Sequence, residues 1–164
     1  MDSRAAKSSD AEQVSAIYNH YVANSTATFE VELINDFEML RRIDEIQIAG
    51  YPFFVCEEGK EIVGYTYANR YKPRWAYQHS VEVSVYIKDG FGGSGIGTLL
   101  YESLFSELKK GDFHAIIAGI SLPNDASVKL HEKFGFQKIA HFREVGRKFD
   151  RWIDVGYWEL VLGK

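Results

Sequence analysis

The chain has 164 residues, 46% hydrophobic and 26% charged, with a formal net charge of -4. That length suits one domain with a sizeable core, and the slight acidity offers no general attraction to nucleic acid or to an anionic membrane. Cys56 is the only cysteine, which excludes an internal disulfide framework.

Met1-Asp2-Ser3-Arg4 leads into no apolar stretch, and no apolar run approaches the length of a membrane span. No signal peptide and no membrane partner are therefore expected, and the expected location is cytoplasmic. Aromatics reach 15%, with ten Tyr and eleven Phe. They furnish a core, a subunit interface or a pocket, and composition does not choose among these.

In chain order, Ser9-Asp10-Ala11-Glu12 has the spacing of a capping box, followed by Val14, Ile17, Tyr18, Tyr21 and Val22 at helical intervals. A first helix over roughly residues 10 to 23 is predicted. A second starts near Asn35-Asp36, carries Phe37, Leu40, Ile43 and Ile46-Gln47 inward, and ends before Gly50. Residues 53 to 57 and 62 to 70 read as a hairpin turning at Glu58-Gly59-Lys60, with Cys56 as a packed thiol in its first strand. Val81, Val83, Val85 and Ile87 alternate with Ser80, Glu82, Ser84 and Tyr86, the period of a further strand.

A glycine-rich turn, Gly90 to Gly97, then opens a helix through Leu108, ended by Gly111. Residues 115 to 120 form a short apolar strand, 123 to 134 a helix stopped by Gly135, and two strand-like runs close the chain. Antiparallel neighbours followed by strand–helix–strand crossovers make an α/β sandwich: a mixed, mostly antiparallel sheet of about six to seven strands with about four helices, in one domain over residues 1 to 164.

Two segments carry chemistry. Gly92-Gly93-Ser94-Gly95-Ile96-Gly97, between a strand and a helix, exposes backbone N–H groups at the positive end of a helix dipole, which suits an anion. The same residues also describe a flexible turn that starts a helix. The turn lacks the Gly-Lys-Ser/Thr of a P-loop, and its spacing is not that of a dinucleotide fingerprint. In the second segment, Asn124, Ser127 and His131 share a helix face, as a polar ligand surface or as a capped helix start with a satisfied histidine. Spacing leaves both open.

These residues resemble the acetyl-CoA-binding core of the GNAT acetyltransferases: Val85-Tyr86-Ile87, the turn from Gly92 to Gly97, and the helix leading from Asn124. Further marks resemble the phosphinothricin acetyltransferase branch. They are Ile17-Tyr18-Asn19-His20-Tyr21, Ser25-Thr26-Ala27-Thr28-Phe29, Ala76-Tyr77, Val81-Glu82, Leu122-Pro123-Asn124, Leu130-His131-Glu132 and Trp152-Ile153-Asp154-Val155-Gly156-Tyr157-Trp158. One departure stands out, since Gly92 occupies the place where the superfamily turn usually opens with Arg or Gln.

The resemblance implies acetyl-CoA as cosubstrate and direct attack of an amine on the thioester in a ternary complex. No metal is expected, because His20, His79, His114, His131 and His141 are scattered and His131-Glu132 lacks a second His four residues on. It implies cofactor contacts at Val85, Tyr86, Ile87, Gly92, Gly93, Ser94, Gly95, Ile96, Gly97, Asn124 and Ser127. Glu82 matches the family's general base, and the backbone near Tyr86 its oxyanion donor. His131 stands where many relatives carry Tyr, leaving acid, relay or substrate contact open. For the acceptor, Phe29 and Tyr77 are the expected apolar walls and Arg74 the expected carboxylate cation, chosen over Lys72 for its bidentate fork.

The implied acceptor is the α-amine of a small amino-acid-like molecule such as phosphinothricin, methionine sulfone or methionine sulfoximine. A protein N-terminus, a polyamine, or a non-catalytic acetyl-CoA sensor are the alternatives. The family habit and the abundant aromatics suggest a homodimer.

Overall fold

The computed structural model describes residues 1–163. Seven strands form one sheet: β1 (Asp2–Ala5), β2 (Phe53–Glu58), β3 (Glu61–Arg70), β4 (Ser80–Ile87), β5 (Ala115–Leu122), β6 (Gln137–Lys148) and β7 (Arg151–Val161). Their order is β1-β2-β3-β4-β5-β7-β6, and every neighbouring pair is antiparallel except β4 with β5. Four helices flank the sheet: α1 (Ala11–Asn24), α2 (Asp36–Ile48), α3 (Ile96–Leu108) and α4 (Asp125–Lys133).

The period-two pattern separates two faces. Val55 packs with Val14, Ile17, Tyr18 and Val22 of α1 and with Met39, Ile43 and Ile46 of α2. Its neighbour Cys56 packs with Ile96 and Leu100 of α3. Likewise Tyr86 stacks on Tyr65 and meets Tyr18 and Tyr21 edge-on, while Val81 and Val83 join Tyr101 and Leu104. Glu82, in phase with Tyr86, therefore lies on the α1/α2 face and leaves the aliphatic face to α3.

Three expectations are corrected. First, Ser9 does not cap α1. Residues 8 to 10 form a 3-10 turn, and Asp10 is buried with its carboxylate accepting from Lys7 N (2.8 Å) and from Arg4 (2.7 and 2.9 Å). Arg4 also grips Glu57, which fastens β1 to the sheet edge.

Second, Phe37 points outward and is 75% exposed, because the inner stripe of α2 runs through Met39, Ile43 and Ile46. Third, α4 begins at Asp125 with Asn124 as its cap, so Pro123 precedes the helix.

The decisive topological detail lies between the two parallel strands. β4 pairs with β3 along seven residues, up to Gly64↔Ile87, but with β5 only at Ser80↔Ala115, Val81↔Ile116 and Glu82↔Ile117. Beyond Glu82 the strands part, because β5 follows β7 to Leu122↔Asp154. A wedge opens in the middle of the sheet.

Candidate active site

The wedge is the mouth of a cavity of about 650 Å³. One wall is β4 from Val83 to Ile87, and the opposite wall is Gly119 to Ser121 of β5. The glycine turn and the start of α3 close one side, and α4 closes another.

Of the expected cofactor residues, the structure brings Val85, Tyr86, Ile87, Gly92, Gly93, Gly95, Gly97, Asn124 and Ser127 to this cavity. Ser94 and Ile96 are not among its walls. The Ser94 hydroxyl donates back to the Phe91 carbonyl, and Ile96 is a core side chain over Gly64.

The glycines serve different purposes. Gly93 and Gly95 adopt φ of +77° and +86°, a region that side-chain-bearing residues avoid. Gly97 keeps α3 close to α4, since a Cβ there would lie 2.9 Å from Leu130 Cδ2. Gly92 has neither constraint and simply leaves open space above the turn. Asn124 combines both readings of its position, accepting from Ser127 N (3.2 Å) as a helix cap while facing the cavity.

Glu82 sits at the apex of the wedge as the last β4 residue paired with β5. Its carboxylate approaches Gly119, where a Cβ would stand 3.6 Å from Oε1 and 3.2 Å from the Tyr157 ring. The missing side chain at Gly119 leaves the carboxylate space next to the cavity. Glu82 is half-buried, and burial raises its pKa above the ordinary carboxylate value. No hydrogen bond or ion pair engages it among the described residues, so nothing offsets that desolvation.

His131 is 3% exposed. Its Nδ1 lies 2.8 Å from the Ser127 carbonyl, which only accepts, so Nδ1 carries the proton. Nε2 then accepts from the Tyr101 hydroxyl at 2.7 Å. Burial pushes the imidazole pKa below its ordinary value, in keeping with this neutral tautomer. Tyr101 also lines the cavity. Sequence reading missed it because it falls within the apolar stripe of α3.

The expected acceptor residues lie apart from the cavity walls. The Phe29 ring covers Gly146 of β6, where an added Cβ would stand 2.4 Å from Cε2. Tyr77 ends a 3-10 turn over residues 75 to 77 and meets Tyr71 edge-on. The cation held by this pair is Lys72, with Nζ 5.1 Å from the Tyr71 ring centroid and 5.5 Å from that of Tyr77. Arg74 is exposed, and its guanidinium has no partner among the described residues.

Two further groups shape this region without a sequence signal. Tyr21 donates its hydroxyl to the Ile87 carbonyl (2.6 Å), pinning β4 where it enters the turn. Lys148, 3% exposed, donates to the carbonyls of Ser25 (2.7 Å) and Thr28 (2.9 Å), tying the loop that bears Phe29 to β6.

Among the described residues no helix is long and apolar enough to cross a membrane, and no cluster of three potential metal ligands occurs.

Comparison with known proteins bears on this geometry. The acetyltransferase (GNAT) domain model matches residues 4–156. Phosphinothricin N-acetyltransferase of Streptomyces coelicolor is 42% identical over 158 residues, covering 93% of this chain and 91% of the relative. The L-methionine sulfoximine/L-methionine sulfone acetyltransferase of Salmonella typhimurium is 32% identical over 162 residues, covering 99% and 95%. A phosphinothricin acetyltransferase from Sinorhizobium meliloti, solved with acetyl-CoA, superposes with a TM-score of 0.94 at 32% identity, covering 98% of this chain and 88% of that one.

Proposed function

We propose, from the premise that the chain belongs to the GNAT acetyltransferase family and is an N-acetyltransferase, that it carries acetyl from acetyl-CoA to the α-amine of a small amino-acid-like acceptor. Phosphinothricin, methionine sulfone and methionine sulfoximine represent the acceptor class. The observation that carries the reading is Glu82, a half-buried carboxylate without a partner at the apex of the wedge.

The residues present suit acetyl-CoA. Its phosphates would lie on the N–H groups of the turn from Gly92 to Gly97, and its extended arm would run along Val85 to Ile87. Asn124 and Ser127 face that arm from α4. Bound acetyl-CoA supplies a thioester carbonyl, the electrophile.

An aliphatic amine is mostly ammonium at neutral pH, so Glu82 takes its proton, through a water where distance requires. The amine nitrogen bonds to the acetyl carbon, the C–S bond breaks, and the backbone beside Tyr86 donates to the oxygen on which charge develops. The remaining proton of the attacking nitrogen passes through solvent to the departing thiolate, so the products are the amide and the free thiol of CoA. His131, whose two nitrogens are both engaged, acts here as a positioning residue for Tyr101 rather than as the acid.

The acceptor carboxylate is taken by a cation of the 71–77 loop, with Phe29 and Tyr77 as apolar walls. Arg74 brings the bidentate fork. A second reading assigns this role to Lys72, which the two tyrosine rings already hold in place. We also propose a cytoplasmic homodimer formed through the β6 edge, where Ile139, Phe142 and Val145 are more than half exposed.

The test is a thiol-release assay with the three amino-acid acceptors, an N-terminal peptide and spermidine. The highest kcat/KM belongs to one of the amino acids. A preference for the peptide or the polyamine would overturn the acceptor class, release with no amine dependence would point to a hydrolase, and no release with any acceptor would point to a non-catalytic sensor.

A further inference from the structure

The turn that faces the cavity carries no charged side chain: Gly92, Gly93, Ser94, Gly95, Ile96 and Gly97 offer only backbone donors and one hydroxyl. Among the described residues no Asp or Glu stands in the cavity walls, Glu82 lying at the apex beside Gly119, and the full cations there are Lys129 and Lys133, one helical turn apart on α4. Close packing of α3 on α4 at Gly97 and Leu130 brings the end of α4 beside the start of α3. There Lys133 Nζ donates to Thr98 Oγ1 at 3.1 Å.

Thr98 is the third residue of α3 and itself lines the cavity. The contact therefore places an ammonium at the first turn of α3, which the glycine turn leads into, and no carboxylate pairs with it among the described residues. The alternative reading of Lys133 is a solvated lysine that favours the negative end of α4. That reading does not require it to reach across to the other helix, nor to border the cavity beside the glycine turn.

We propose that Lys133, held by Thr98, is a diphosphate-binding residue of the cofactor site, supplying from α4 the cation that the glycine turn lacks. This rests on the acetyl-CoA reading above. The Thr98 hydroxyl accepts from Lys133 and keeps its own proton to donate, so the pair presents both an ammonium and a hydroxyl donor to the same anion.

The test compares wild type with Lys133→Met, which keeps the aliphatic stem, and with Lys133→Arg. Affinities for CoA and for dephospho-CoA are measured by calorimetry, with a thermal melt of each unliganded protein. Both ligands carry the diphosphate, and only CoA carries the ribose phosphate. Lys133→Met is expected to weaken both ligands by the same factor, about tenfold, the low end for a charged hydrogen bond because the lysine is exposed. Lys133→Arg restores most of the loss, and the unliganded melting temperatures agree.

Equal affinities in wild type and Lys133→Met would overturn the proposal. A loss confined to CoA would overturn it too, since Lys133 would then read the ribose phosphate. A loss that Lys133→Arg does not restore, with a lowered melting temperature, would assign the residue to helix packing. If wild type binds neither ligand, the cofactor reading itself fails.

Discussion

The Tyr101 hydroxyl donates to His131 Nε2 at 2.7 Å, and the opposite ring nitrogen, Nδ1, is spent on the Ser127 carbonyl. This pair locks α3 to α4 through a neutral imidazole whose tautomer is set by its acceptors. The folded-state pKa of His131 is depressed by burial below 6.5, its ordinary value. The unfolded chain therefore binds the proton more readily. Stability from this site is complete above about pH 6.5 and is lost as pH falls toward the folded pKa. In denaturant titrations between pH 5 and pH 8, wild type should lose stability on acidification by more than His131→Asn does. Parallel curves would show that His131 contributes nothing to the pH dependence.

Glu82→Gln should lower kcat by about 10²-fold or more while acetyl-CoA affinity stays near wild type, because proton transfer is lost and ground-state contacts are kept. The active form is the carboxylate, and burial raises its pKa above 4.5. The acid limb of kcat/KM in wild type should therefore rise with pH through a value above 4.5. Wild-type turnover by the variant from pH 6 to pH 9 would exclude the role.

Gly92→Val separates ligand approach from folding. Gly92 has no left-handed φ, and a Cβ there meets no protein atom within 4 Å. Gly95 would add backbone strain and Gly97 a collision with Leu130, so neither gives as clean a test. Since similar turns usually open with Arg or Gln at this place, CoA affinity by calorimetry should stay within about tenfold of wild type (about 1.4 kcal/mol), with an unchanged melting temperature. A larger loss would show that the ligand packs directly against Gly92.

No acetyl-enzyme should form. Cys56 is fully buried, and burial raises its thiol pKa, away from the thiolate that a nucleophile requires. Intact-mass measurement after incubation with acetyl-CoA alone should show no stoichiometric added acetyl group, and its appearance on Cys56 would replace direct transfer with a two-step route.

The acceptor cation is resolved by comparing Arg74→Ala with Lys72→Ala. The variant lacking the true carboxylate partner should raise KM for methionine sulfone about tenfold or more, with little change for an amine lacking the carboxylate. Equal effects on both acceptors would show general damage to the loop.

Hydrophobic pattern revealed most elements, because α1 buries one stripe, β4 alternates, and β3 and β5, buried on both faces, read as apolar runs. β1 escaped notice because Asp2-Ser3-Arg4-Ala5 has no alternating apolar residues, and its strand state comes from pairing with β2 and from Arg4 binding Glu57 and Asp10. Phe37 misled because a large apolar residue in the first turn of α2 need not lie on its buried stripe. At the site, the glycine turn stood out by local pattern, and Glu82 only through the family resemblance. Tyr101, Lys133 and Lys148 did not, since each acquires its place from an element distant in sequence. Tyr101 meets α4, Lys133 meets α3, and Lys148 reaches the end of α1.

The parting of β4 from β5 also bears on self-association. Edges of a sheet are templates for pairing with other chains, and this sheet has two in its interior as well as two at its rims. α3 and α4 wall the cavity onto which the interior pair opens. With the arm of CoA along β4, as proposed, β4 amides facing β5 beyond Glu82 should exchange their hydrogens far more slowly once CoA is bound. Those facing β3 should be slow throughout. The sheet thus carries unpaired strand edges inside the cavity at its centre as well as at its rims.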